Sequence, residues 1–231
     1  MTINFWAKSS GEKKSCELYI YDSIGADFFG EGISAKSISD ALKEFAPNAA
    51  MDIYINSPGG SVFEGVAIYN QLMRWGGKRT VHIDGIAASI ASVIAMAGDE
   101  RRMASNALIM IHQAYGITIG NADEMRKYAE SLDKIDETLV STYVERAGCK
   151  ESDLRAWLSA ETWMNADEAV SRGFATMKTG EKAVKAEFPL LAKFNKVPEQ
   201  LRRQSLQTNV LLAKVNARVD KLNRRPAGVL A

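Results

Sequence analysis

From Ile86 to Gly98 the chain reads Ile-Ala-Ala-Ser-Ile-Ala-Ser-Val-Ile-Ala-Met-Ala-Gly, without a charged side chain. A helix over Ala87–Ala97 would have no polar face, so it has to be enclosed on every side. The run is broken by Ser89 and Ser92 and is too short to cross a bilayer. The chain must therefore build a protein core thick enough to surround it. Its 231 residues suffice for one large domain, or for one domain with an appendage. With 46% hydrophobic and 25% charged residues, the composition excludes a disordered chain, a collagen-like repeat and a disulfide scaffold.

Around that run, short apolar strands alternate with amphipathic helices. Glu17–Tyr21, Met51–Ile55 and Thr80–Ile83 read as strands, and Leu108–Ile111 is the continuous apolar strand that a parallel sheet buries on both faces. A helix is predicted over Ser34–Phe45, with Ser34 as N-cap and Ile38, Leu42 and Phe45 on one face. Val62–Arg74 is a second. Ala122–Arg146 is the longest, capped by Asn121 and ended by Gly148, with Met125, Tyr128, Leu132, Ile135, Leu139 and Tyr143 as its apolar stripe. Ser152–Leu158 is a further short helix, and another starts after the cap Asn165 and closes at Gly173. Strands alternating with helices predict an α/β architecture with a mostly parallel sheet.

Cys16 and Cys149 stand far apart and outside any CxxC pattern, so neither a disulfide framework nor a zinc site is expected, and a reducing cytoplasm is the natural compartment. Only two histidines occur, which leaves no multi-histidine metal site. The first residues lack the apolar core of a signal peptide. The formal net charge of +1 hides a split: residues 1–177 hold 17 Lys and Arg against 24 Asp and Glu, and residues 178–231 hold 12 against 4. An acidic globule thus carries a basic tail, in which Leu212, Val215, Val219 and Leu222 suggest a short amphipathic helix near 201–223. The overall balance gives no reason to expect a nucleic-acid or membrane partner.

Serine chemistry needs a nucleophile, a histidine base, an acid to orient it and N–H donors for the oxyanion. His82 lies in Thr80-Val81-His82-Ile83 and reads as a partly exposed strand residue. His112 ends the buried run Leu108–Ile111, and the C-terminal end of a parallel strand is where α/β folds place their sites. Ser89 falls near the start of the buried helix among small neighbours that let a substrate backbone approach. Free N–H groups at that helix start point outward, the Ile90 N–H among them. A second donor fits Ser57-Pro58-Gly59-Gly60, where glycine allows close approach.

Four segments together resemble the ClpP family of serine peptidases, over residues from about Leu18 to Ala175. Ile55-Asn56-Ser57-Pro58-Gly59-Gly60-Ser61-Val62 is similar to the family's glycine loop, and Gly85-Ile86-Ala87-Ala88-Ser89 to its nucleophile segment. Met110-Ile111-His112-Gln113 is similar to its histidine segment, and Trp163-Met164-Asn165-Ala166-Asp167-Glu168-Ala169-Val170 to the stretch after its acid. The flavour is nearest to the ClpP-related head-maturation (prohead) proteases of tailed phages. Three shorter stretches carry it: Phe29–Ala35, Val62-Phe63-Glu64-Gly65 and Glu161-Thr162-Trp163.

The resemblance implies a ClpP/crotonase-like superfold of repeated β-β-α units, with an N-terminal extension over 1–14, the peptidase domain over 15–177 and the tail over 178–231. It implies Ser89 as nucleophile, His112 as general base and then acid, and the Gly60 and Ile90 N–H groups as oxyanion hole. The acid is a departure, since Glu161 stands where the family commonly has Asp; Asp153 is a distant rival. The order Ser, His, acid and the lack of a GxSxG elbow argue against an α/β-hydrolase. No cofactor and no metal are implied.

The expected activity is serine endopeptidase action on scaffold or capsid protein in the prohead, in host cytoplasm or prohead interior. The alternative is the proteolytic subunit of an ATP-dependent Clp-type protease, whose AAA+ ATPase would be separate, because the chain has no GxxxxGK[ST]. A non-catalytic or crotonase-like assembly protein ranks lower, as does a membrane-bound signal-peptide-degrading relative. A ring homo-oligomer, of two stacked heptamers by resemblance, would enclose Ser89 in a chamber.

Overall fold

The computed structural model describes residues 5–9, 15–26, 32–181 and 194–198. The chain divides into two compact units, 1–186 and 187–231. Every element below lies in the first. The helix expected near 201–223 falls outside the described residues, as does most of 178–231.

The first unit is a mostly parallel sheet with helices packed on it. Its elements are β1 (Phe5–Ser9), β2 (Ser15–Ile20), α1 (Ala35–Lys43), β3 (Ala50–Ser57), α2 (Val62–Met73), β4 (Arg79–Ala88), α3 (Ile90–Ala95), β5 (Glu100–Ala104), β6 (Leu108–Ile111), α4 (Ala122–Ala147), α5 (Glu151–Ser159), β7 (Thr162–Met164), α6 (Ala166–Ser171) and β8 (Met177–Thr179). Strand order is β1-β2-β3-β4-β5-β8, and β6 branches from β4 to pair with β7. Among the described strands, only the β1–β2 and β6–β7 pairs are antiparallel. The sheet crosses both expected domain limits. β1 adds a strand from within residues 1–14, and β8 begins at Met177 and pairs with β5.

Strand periodicity sorts the side chains. Leu18, Ile20, Met51, Ile53, Ile55, Val81 and Ile83 point under the helices and are buried. The opposite face is polar and aromatic. Tyr19 stacks on Tyr54, and Tyr54 stacks on His82, with 4.6 Å between centroids in each pair. His82 Nε2 lies 2.7 Å from Asp52 Oδ1. His82 is thus a satisfied strand residue.

The charge-free run behaves differently from the helix expected over Ala87–Ala97. Ala87 and Ala88 belong to β4, which runs well past Ile83, and the helix begins only at Ile90. Ile86, Ala87 and Ala88 pair in parallel with Leu108, Ile109 and Met110, and those backbone hydrogen bonds outweigh the helix propensity of alanine. All of α3 is buried, as a helix with no polar face requires. Its closest crossing is with α2, where a β-carbon on Gly65 would lie 2.2 Å from Ile90 Cγ1.

β5 is one of the strands the sequence conceals, with β1, β7 and β8. Arg101 points inward and is 7% exposed. Its guanidinium donates to the carbonyls of Gly98, Gly173, Phe174 and Arg146. Arg146 lies in the last turn of α4, and Gly98, Gly173 and Phe174 lie just past α3 and α6, so one cation ties the ends of three helices together.

Candidate active site

β4 and β6 run side by side, and the chain leaves each at the same end of the sheet. The Ser89 N–H still follows the ladder and donates to Met110 O at 2.9 Å. The backbone then turns sharply. Ser89 has φ 54° and ψ −129°, a conformation that a residue with a β-carbon adopts only when its surroundings impose it. That turn lifts the hydroxyl out of the sheet, and Ser89 Oγ sits 2.7 Å from His112 Nε2. His112 directly follows the last residue of β6. The two are 23 residues apart in sequence and meet because their strands are neighbours.

Burial pushes the His112 pKa down, the charge of Glu161 pushes it back up, and the balance lies below the ordinary value of 6.5. The imidazole is therefore held toward its neutral form, in which Nε2 can take the Ser89 hydroxyl proton. Glu161 lies beyond the end of α5 at φ 48°, and the Trp163 indole donates to its Oε1 at 3.4 Å. Asp153 is exposed in the first turn of α5, and its charge acts on Cys149. Of the two acids considered, Glu161 is thus the one whose field reaches His112.

The glycine loop closes the other side. Ile24 N–H donates to Gly59 O and Ser61 N–H to Ile24 O, both at 2.8 Å. In such a parallel bridge the intervening Gly60 turns its own N–H away from Ile24. Gly60 has φ 148°, and a β-carbon there would strike Ile24 O at 2.1 Å. Gly59 abuts the nucleophile segment directly, since a β-carbon on it would lie 2.6 Å from Ala88 O. Ile90 is the first residue of α3, so its N–H has no partner within the helix. Ser89, His112, Glu161, Gly60 and Ile90 thus all belong to one neighbourhood.

Two supports were not foreseen. Asp136 on α4 accepts from the Ala114 N–H at 2.6 Å and so fixes the chain just beyond His112. Ser92 and Tyr143 meet beneath the nucleophile, 2.7 Å apart. Tyr143 reads from sequence only as part of a helix stripe, and nothing local marks its hydroxyl. Among the described residues there is no cluster of metal-ligating side chains, and no helix is long and apolar enough to cross a membrane.

The Clp protease family model matches residues 33–177. The ATP-dependent Clp protease proteolytic subunit 1 of Chlamydia abortus is 34% identical over 156 residues, which is 63% of this chain and 81% of that protein. The ATP-dependent Clp protease proteolytic subunit of Bacteroides fragilis is 33% identical over 134 residues, 57% of this chain and 65% of that one. A ClpP1 mutant from Listeria monocytogenes superposes with a TM-score of 0.62, at 22% identity, covering 71% of this chain and 91% of its own. That structure establishes the fold as ClpP-like. The matched range takes in the glycine loop, Ser89, His112 and Glu161. With more than half its length so matched, this chain belongs to the Clp protease family, a family of serine peptidases.

Proposed function

We propose that the protein is a serine endopeptidase in which Ser89 attacks the peptide carbonyl. The observation that carries this is the 2.7 Å contact between Ser89 Oγ and His112 Nε2. Nε2 takes the hydroxyl proton as the C–O bond forms, then gives it to the leaving amine. With Nε2 turned to Ser89, Nδ1–H is the group offered to Glu161, whose charge stabilises the imidazolium. The tetrahedral oxyanion takes the Gly60 and Ile90 N–H groups. Water then hydrolyses the acyl-enzyme by the same route in reverse. A fluorophosphonate should label Ser89, and Ser89→Ala should lose both labelling and peptide cleavage; full cleavage by Ser89→Ala would overturn the mechanism.

The setting this reading favours is that of a proteolytic subunit working with a separate ATPase. The Chlamydia and Bacteroides relatives carry that name, and the chain has no phosphate-binding GxxxxGK[ST] of its own. Self-assembly is part of the proposal. Tyr115, Ile117, Ile119 and Met125 are exposed, and the first half of α4 buries no side chain in the single chain. A second copy laid along that face would cover them. The reaction then belongs in the cytoplasm, on unfolded segments that fit an enclosed site.

A second setting is prohead maturation, with scaffold or capsid protein as substrate. What favours it is the phage-like character of Val62–Gly65 and Glu161–Trp163, and a basic tail beyond the matched region. Co-purification of a AAA+ ATPase from the native host supports the first setting. Cleavage of a co-expressed capsid protein without any ATPase supports the second.

A further inference from the structure

The peptide unit between Ser89 and Ile90 has two functional ends. Its N–H is the oxyanion donor proposed above, and its C=O points the opposite way, as a trans peptide requires. That carbonyl is not left to solvent. It accepts from the Ser92 N–H at 2.9 Å and from the Ser92 hydroxyl at 2.5 Å. The Ser92 Oγ in turn lies 2.7 Å from the Tyr143 hydroxyl. A serine has one hydroxyl proton, and here it goes to Ser89 O, so Tyr143 must be the donor to Ser92. Ser92 is 0% exposed and Tyr143 2%, so no bulk water can substitute for either.

We propose that Ser92 and Tyr143 are positioning residues that aim the Ile90 N–H at the oxyanion. The relay runs from Tyr143 O–H to Ser92 O–H to Ser89 C=O, and it ends on the peptide that carries the Ile90 N–H, one of the two oxyanion donors. It acts in two ways. Holding the carbonyl inward fixes the plane of the peptide, and hence the direction of its N–H, at a residue whose φ of 54° does not hold itself. Accepting two hydrogen bonds also polarises the amide, which makes its N–H a stronger donor. The phenol stays protonated because burial pushes its pKa well above the ordinary value of 10. Tyr143 is anchored in turn by packing against Phe174, 5.5 Å between centroids. α4 thereby reaches the catalytic peptide from behind, without touching substrate.

This inference rests on Ser89 being the nucleophile. Its test uses Tyr143→Phe, Ser92→Ala and the double variant of the full chain, with a fluorogenic peptide and a peptide boronate that forms a tetrahedral adduct. Each single variant should lose about tenfold in kcat at unchanged KM. The boronate should weaken by the same factor, because only the tetrahedral species uses the oxyanion hole. The double variant should be no worse than the worse single, since one chain of hydrogen bonds is being cut twice. The acidic limb of the pH profile should stay in place, because His112 is not in the relay. Unchanged kcat and boronate affinity in a folded Tyr143→Phe would overturn the inference, even if Ser92→Ala fails to fold. A kcat loss without any boronate loss would also overturn it. A wild-type chain inert to peptide and to fluorophosphonate would overturn the catalytic reading beneath it.

Discussion

A β-carbon built on Gly59 would lie 2.7 Å from the β-carbon of Ser89. No pair of side chains tolerates that separation, so the glycine loop and the nucleophile segment touch backbone to backbone. This contact ties Gly60 and Ile90, which come from separate parts of the sequence, into one donor pair.

Gly59→Ala should therefore be severe. The new methyl meets Ala88 O, Ser89 Cβ and Ile90 N, and φ at 89° strains any residue with a β-carbon. Loss of about a hundredfold or more in kcat/KM is expected. The check is peptide hydrolysis beside circular dichroism; a folded variant with wild-type turnover would contradict the close approach.

Acidic pH should switch the enzyme off below, rather than at, the ordinary histidine range. Burial lowers the His112 pKa from 6.5, so the base stays unprotonated until the pH falls through that lowered value. Glu161 raises the same pKa. Glu161→Gln should move the acidic limb of kcat/KM to still lower pH while cutting the plateau by roughly a hundredfold or more. A limb that stays in place, or moves up, would remove Glu161 from its role.

Backbone strain at Ser89 should be measurable as stability. At φ 54° and ψ −129° glycine is at ease and alanine is not. Both Ser89→Gly and Ser89→Ala lack the hydroxyl, so their difference isolates the backbone. The glycine variant should be more stable by about 1 kcal/mol, roughly 3 °C in Tm. Equal midpoints in calorimetry would show that the turn is unstrained.

Arg101→Leu should lower stability by about 3 kcal/mol, or on the order of 10 °C, because the replacement abandons the carbonyls of Arg146, Gly173 and Phe174, while Gly98 O keeps its hydrogen bond from Arg146. The side chain is of similar bulk, so packing loss is not the main effect. Thermal unfolding decides the matter; a shift below ~2 °C would mean that water takes over the carbonyls.

Ile117→Asp with Ile119→Asp should leave the fold intact, since both residues are exposed in the single chain, at 78% and 95%. Light scattering should then report a smaller particle than the wild type. An unaltered mass would place the covering surface elsewhere.

Much of this site could be read from the sequence, for reasons that differ residue by residue. His112 is conspicuous as a polar residue at the end of an apolar run, and Ser89 as a hydroxyl among small residues near the start of a buried helix. The helix caps Ser34, Asn121 and Asn165 were equally legible, since capping is local chemistry. Strand β5 was not, because an inward arginine mimics a surface residue until its carbonyl partners are known. The β4–α3 boundary was missed because Ala87 and Ala88 suit a helix and take strand form only by pairing with β6. Glu161 came from family likeness alone, and its positive φ left no mark in the sequence. The Ser92–Tyr143 contact spans 51 residues and exists only once α4 has crossed behind α3.

The parallel pairing of β4 with β6 works as a ruler. Ala88 is matched to Met110, and the nucleophile and the base each follow within a residue or two of that match. Sliding one strand by a single position would send His112 to the opposite side of the sheet. From Leu108 onward a lost or added residue is a miscount, and the proton has no place to go.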